Sequence, residues 1–202
     1  MAGIETTSKF ALFATSIGYC GVAWCGDEIV ATHLPEPTDE KTRSRLSARA
    51  GGASECDAPP VVERAIGAMT ALLEGERVDL GFVVCDYRSV DSFEARVYDI
   101  ARTIPPGETL TYGEIAIRLG DKLFAQAVGR ALGRNPLPII VPCHRVVGAS
   151  GRLTGFSASG GVATKLRMLA IEGADLGKPP GLFDHLPMAV KAPTRPPPRS
   201  RS

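Results

Sequence analysis

The chain has 202 residues, 44% of them hydrophobic and 22% charged, with a formal net charge of +1. That length makes one large domain or two small ones, with enough chain for a real core. No apolar run reaches the roughly 18 residues of a membrane span, no basic segment followed by an apolar core marks a secretory leader, and five scattered cysteines suit a reducing cytoplasm better than a disulfide framework.

In chain order, "KFALFATSIGYCGVAWCGDEIVATHLP" carries β-rich runs broken at Gly18 and at Gly26-Asp27, which predicts a small antiparallel meander. "DEKTRSRLSARA" and "PPVVERAIGAMTALLEGE" have helical character, and in the second Val62, Ile66, Met69 and Leu72 recur at helical spacing. "GGASECDAPP" between them is expected as a loop. Asp91 with Glu94 makes a capping-box-like start to a helix whose inner face is Phe93, Val97, Ile100, Ala101 and Ile104, stopped by Pro105-Pro106-Gly107. Thr111 with Glu114 repeats the pattern for a short helix ending at Gly120. Asp121 then opens a third, with Phe124, Ala127, Val128, Ala131 and Leu132 inward. Two short helices joined by a tight turn form a helix-turn-helix arrangement.

The outward stripe of the third helix is Gln126, Gly129, Arg130, Gly133 and Arg134. Glycines on an exposed helical stripe cost roughly 1 kcal/mol each relative to alanine. Small residues flanked by arginines would let a backbone approach a phosphate-lined groove closely. Charge is divided in the same sense: residues 1–91 carry 8 basic and 14 acidic side chains (−6), residues 92–177 carry 10 and 7 (+3), and residues 178–202 carry 5 and 1 (+4). A polyanion is therefore expected to meet the back half.

"IIVPCHRVVG" sets Cys143 beside His144, the usual thiol nucleophile and base. If Ile139 to Val141 is a strand, successive side chains point to opposite faces and a short direct hydrogen bond between the pair is excluded. Either a water bridges them or the pairing is accidental. The Gly- and Ser-rich stretch 151–161 is a candidate pocket loop, followed by a helix from about Val162 with Val162, Leu166 and Leu169 facing inward. Glu172 sits in its last turn, where the helix dipole disfavours an acid. An imidazolium is one group that could hold it there. The tail "KPPGLFDHLPMAVKAPTRPPPRSRS" is proline-rich and basic and is expected to be disordered.

"TYGEIA", "RALGRNPLPII", "VPCHRVV" and "TKLRMLAIEG" together resemble the O6-alkylguanine-DNA alkyltransferases, also called methylated-DNA–protein-cysteine methyltransferases, over roughly residues 92 to 175. The resemblance implies an α+β protein: a ribonuclease-H-like α/β domain at 1–90, then a mainly helical domain with a helix-turn-helix and a short active-site strand at 91–177, then the tail at 178–202. It implies Cys143 as nucleophile toward an alkyl group on O6 of a guanine flipped from duplex DNA, with His144 as its base through a bridging water. Glu172 would orient and charge the imidazole, the pair lowering the thiol pKa, and Asn135 would brace the turn before the thiol. Tyr112 would lie beside the flipped base and its 3′ phosphate. The carbonyls of Cys143 and Val146 would accept from the guanine amino group, and Ser157 would donate to O6. Tyr112, Gln126, Gly129, Arg130 and Arg134 would meet the DNA.

The product would be a thioether, so each molecule would act once. The resemblance leaves open O4-alkylthymine as a second substrate. The partner implied is double-stranded DNA carrying O6-alkylguanine, met by a cytoplasmic, nucleoid-associated monomer with no membrane attachment and no cofactor. Two departures stand out: Gln126 occupies the place of an arginine that family members insert into the base stack, and Phe156 replaces a pocket tyrosine, in a loop about two residues longer than in many relatives. Cys20, Cys25 and His33 lack compact ligand spacing, so no metal site is expected. Two rival readings are a lesion sensor of the alkyltransferase-like kind, which characteristically lacks the cysteine, and a thiol hydrolase, which needs a direct Cys–His dyad.

Overall fold

The computed structural model describes residues 7–153 and 155–174, so the expected tail lies outside the described residues. Strands β1 (Lys9–Thr15), β2 (Gly18–Cys25) and β3 (Glu28–His33) form the expected antiparallel meander. A fourth strand, β4 (Ser54–Glu55), adds in parallel to the free edge of β1, inside the segment expected as a loop. Two residues are too short to show an alternating pattern.

Helix α1 (Asp39–Arg49) covers one face of this sheet, and α2 (Pro60–Leu73) packs on β1. Along β2 the side chains divide as a strand requires: Cys20, Val22 and Trp24 enter the large core, while Ala23 joins Phe10 and Leu46 under α1. Gly21 is needed there, because a Cβ would come within 2.5 Å of the Leu46 side chain.

Helix α3 (Ser92–Arg102) starts at Asp91, whose side chain accepts from the Phe93 amide at 2.8 Å. The cap is one-sided, because Glu94 pairs with Arg134 instead. Strand β5 (Leu110–Thr111) leads into α4 (Tyr112–Arg118) through a complete Thr111–Glu114 capping box. The third helix differs from expectation. Asp121 caps a single 3₁₀ turn, Lys122–Phe124, and α5 proper runs Ala125–Gly133. Phe124 is 40% exposed and meets Phe93 edge-on at 5.6 Å rather than entering the core.

The expected strand at 139–141 is absent. Pro136, Pro138 and Pro142 lack the amide hydrogens a ladder needs, and the segment folds as a turn with Ile139 at φ 80°. Cys143–Arg145 form a single 3₁₀ turn, and the short strand comes just after it as β6 (Val146–Val147), parallel to β5. Helix α6 (Val162–Ile171) is also rotated from expectation: Lys165, Met168 and Leu169 are buried, whereas Val162 and Leu166 are exposed.

One buried cluster runs from Phe13 and Trp24 through Tyr98 to Val146 and Met168, joining both halves of the chain. The architecture is a mixed α+β arrangement. Among the described residues no helix is long and apolar enough to cross a membrane.

Candidate active site

The turn that presents Cys143 is held from two sides. Asn135 donates from Nδ2 to the Val141 carbonyl and accepts from the Leu137 amide, both at 2.9 Å, closing the turn on itself. From β3, the Thr32 amide donates to Pro136 O at 3.0 Å and its hydroxyl to Pro138 O at 2.5 Å. Ile139, buried and β-branched, is kept in the left-handed region by these ties, a conformation that costs on the order of 1–3 kcal/mol and tends to cluster at functional sites.

In a 3₁₀ turn successive side chains diverge by about 120°, so the thiol and imidazole of neighbouring residues point apart. His144 is fully buried and turns to Glu172, with Nε2 to Oε1 at 2.9 Å. Glu172 is also gripped by Arg145, Nε to Oε2 at 2.9 Å and Nη2 to Oε1 at 2.8 Å, and Oε2 further accepts from the Gly107 amide at 3.4 Å. Gly107 has φ 85°, and a Cβ there would meet Glu172 O at 2.9 Å. The acid at a helix end is thus held by an arginine and a backbone amide as well as the imidazole.

Burial works against the Glu172 carboxylate, but hydrogen bonds from His144 and Arg145 outweigh it and hold its pKa down to about 2. An ionised carboxylate only accepts, so His144 Nε2 carries the proton. Burial pushes His144 below the ordinary histidine value and keeps it neutral, which leaves Nδ1 as an acceptor. Nδ1 is buried and, among the described residues, meets no hydrogen-bonding group. The Cys143 thiol is raised by burial, opposed by Asn135 and the Lys165 charge. A thiol pKa lowered by the His144–Glu172 pair is therefore not what the resting site presents. The thiol is protonated at rest and needs a base.

Lys165 and Arg145 are the residues that sequence reasoning passed over. Lys165, fully buried on α6, donates from Nζ to Val146 O at 2.5 Å and lies 5.9 Å from the Tyr112 ring centroid. Its signal was present: Lys165, Met168, Leu169 and Glu172 repeat at three and four residues, one buried helical face carrying both charges. Nothing comparable marks Arg145 except its place in the motif. The carbonyls of Val146 and Cys143 each already accept one hydrogen bond, from Lys165 and from the Val146 amide, and each keeps a second lone pair.

Cys143 opens on a cavity of about 70 Å³ shared with Asn135, Phe156 and Ser157. Ser157 donates to Gly133 O at 3.1 Å, tying the pocket loop to the end of α5. Gln126, Arg130 and Arg134 are exposed on α5, and Gly129 faces the Tyr112 ring, where an added Cβ would stand 3.9 Å away, ordinary contact. Arg134 is engaged with Glu94 at 2.9 Å, while among the described residues no side-chain ion pair engages Arg130. Cys20, Cys25 and His33 do not gather into a metal-binding group among the described residues.

The family model for the 6-O-methylguanine DNA methyltransferase DNA-binding domain matches residues 92–174. The methylated-DNA–protein-cysteine methyltransferase of Mycobacterium tuberculosis H37Rv is 38% identical over 168 residues, covering 83% of this chain and 94% of the relative. The crystal structure of the M. tuberculosis O6-methylguanine methyltransferase superposes with a TM-score of 0.67 at 35% identity, over 83% of this chain and 93% of that one. The M. tuberculosis OGT in complex with DNA gives 0.66 at 34% identity, over 82% and 92%. Sequence and fold agree, and the chain belongs to the methylated-DNA–protein-cysteine methyltransferases, DNA-binding enzymes of alkyl-transfer DNA repair.

Proposed function

We propose that the protein removes the alkyl group from O6 of guanine in duplex DNA and keeps it irreversibly on Cys143. The Cys143 sulfur attacks the alkyl carbon; the S–C bond forms, the C–O6 bond breaks, and guanine leaves with the electron pair and takes up a proton. The thiol proton passes through a water to His144 Nδ1, whose ring is oriented through Nε2 by Glu172. Asn135 braces the turn behind the thiol. Tyr112 and Val146 face the purine, Lys165 supports both, and Ser157 donates toward O6. Gln126, Gly129, Arg130 and Arg134 present α5 to the DNA. Residues 1–90 act as the ribonuclease-H-like domain and 91–177 as the transfer domain of a cytoplasmic monomer, and O4-alkylthymine is a second substrate of the same pocket.

The observation that carries this reading is the Cys143 thiol opening on a cavity, with His144 Nδ1 left as an acceptor once Glu172 has claimed the other ring nitrogen. A lesion sensor has no use for the thiol, and a hydrolase would return it after each cycle. Mass spectrometry after incubation with an O6-methylguanine duplex decides among the three. The Cys143 peptide should gain one methyl group per protein, and Cys143→Ala should bind DNA without transfer. Repeated turnover, or label on another cysteine, overturns the proposal.

A further inference from the structure

The cavity beside Cys143 has a second wall that belongs to the N-terminal half of the chain. His33 at the end of β3, Glu36 just after it, and Arg45 and Arg49 one turn apart on α1 line the same space as Cys143 and Phe156. Their charges do not cancel. Glu36 Oε1 accepts from Arg45 Nη1 and from His33 Nε2, each at 3.2 Å. Burial lowers the His33 pKa and leaves the ring neutral near pH 7. Arg49 forms no ion pair among the described residues, and its bond in the site is a long one, Nη1 to Asn135 O at 3.4 Å. Two guanidiniums face one carboxylate, so the cavity holds one uncompensated positive charge next to the nucleophile. An anion entering it would meet that charge in a partly desolvated setting, where attraction is stronger than in water.

Tyr112 and Val146, the residues proposed to face the purine, are not in this wall. Ser157, proposed to donate toward O6, does line it, so the cavity adjoins the thiol at the O6 edge of the base, where the group being transferred must sit. Resting on the alkyl-transfer reading above, we propose that Arg49 selects O6-alkylguanines whose alkyl group ends in a carboxylate, of which the carboxymethyl adduct is the smallest. The sulfur attacks the methylene carbon, the S–C bond forms as the C–O6 bond breaks, and guanine departs with the electron pair and is protonated. Cys143 becomes S-carboxymethylcysteine, with its carboxylate beside Arg49.

Iodoacetate and iodoacetamide test this without DNA, since both alkylate a thiol with loss of iodide and differ in charge. Their rates are read at the Cys143 peptide by mass spectrometry, with the exposed Cys56 of the same molecule as reference. The normalised iodoacetate-to-iodoacetamide ratio should fall about five- to tenfold in Arg49→Gln at low salt and recover in Arg49→Lys. A ratio unmoved by Arg49→Gln, or a fall that lysine does not reverse, overturns the proposal. Duplexes carrying O6-carboxymethylguanine or O6-methylguanine then separate it from the reading beneath it. The carboxymethyl-to-methyl rate ratio should fall similarly in Arg49→Gln. Transfer of methyl alone by the unsubstituted protein overturns the selectivity and leaves the repair function standing, whereas transfer of neither group overturns both. An equal fall with both duplexes, with a shallower salt dependence of binding, would assign Arg49 to a DNA phosphate instead and overturn the proposal.

Discussion

Arg145 grips Glu172 with two parallel hydrogen bonds, Nε to Oε2 at 2.9 Å and Nη2 to Oε1 at 2.8 Å, and both side chains are almost wholly buried. The same arginine donates from Nη1 to Ile104 O at 2.5 Å, anchoring the carboxylate to the end of α3. Removing it would leave a buried carboxylate partly uncompensated, a change that typically costs about 3–5 kcal/mol. Arg145→Met should therefore unfold at a clearly lower temperature than the unsubstituted protein, while an exposed control such as Arg43→Met moves little. Thermal unfolding of both variants checks this.

The relay is tested by rate. His144→Ala or Glu172→Ala should slow methyl transfer by about 10²–10⁴-fold, the usual range for loss of general-base assistance. DNA affinity should hold. Single-turnover kinetics with an O6-methylguanine duplex give the measurement, and unchanged rates in both variants would remove His144 from the mechanism.

Stability should fall on the acid side. Glu172 titrates near 2 when folded against an ordinary 4.5, so the unfolded chain binds a proton there that the folded one does not. That contribution, about 3 kcal/mol, is fully present above pH 4.5 or so and is lost as pH falls toward about 2. His144 acts with the same sign, because its folded pKa lies below the ordinary 6.5 and the unfolded chain takes up the proton first. Denaturant unfolding between pH 7 and pH 3 should show a steep loss, with a shallower one in Glu172→Gln.

The two arginines of α5 should behave differently. Arg130 has no side-chain ion pair among the described residues, whereas Arg134 is already engaged with Glu94. Arg130→Ala should lower DNA affinity and reduce the salt slope by about 0.9, the value for one phosphate contact. Arg134→Ala should lower both less. Binding isotherms at several salt concentrations measure the two slopes.

Gln126 is exposed near the start of α5, at the place where the family resemblance implies an inserted arginine. Extruding a guanine costs a few kcal/mol, and glutamine fills the gap without the charge or the reach. Gln126→Arg should raise the rate on duplex O6-methylguanine relative to that on the free base O6-benzylguanine. Parallel changes in the two rates would show that the extrusion device lies elsewhere.

The sequence by itself determined the meander, the helical segments, and the place of Glu172 beside the imidazole. These features are local, or are carried by motifs whose residue types are the chemistry itself. Tertiary structure decided the rest. The turn at 139–141 could not be recognised as one because Ile139 reads as a strand residue; its left-handed conformation is imposed by Asn135 and by Thr32, more than a hundred residues away. The buried face of α6 depends on what it packs against, and Lys165 goes inward because the Val146 carbonyl and the Tyr112 ring receive it there. The second wall of the Cys143 cavity is likewise invisible along the chain, since Arg49 and Cys143 become neighbours only when α1 closes over the turn that follows α5. Local propensity selects elements, but the partners of a buried charge are chosen by packing between segments far apart in sequence.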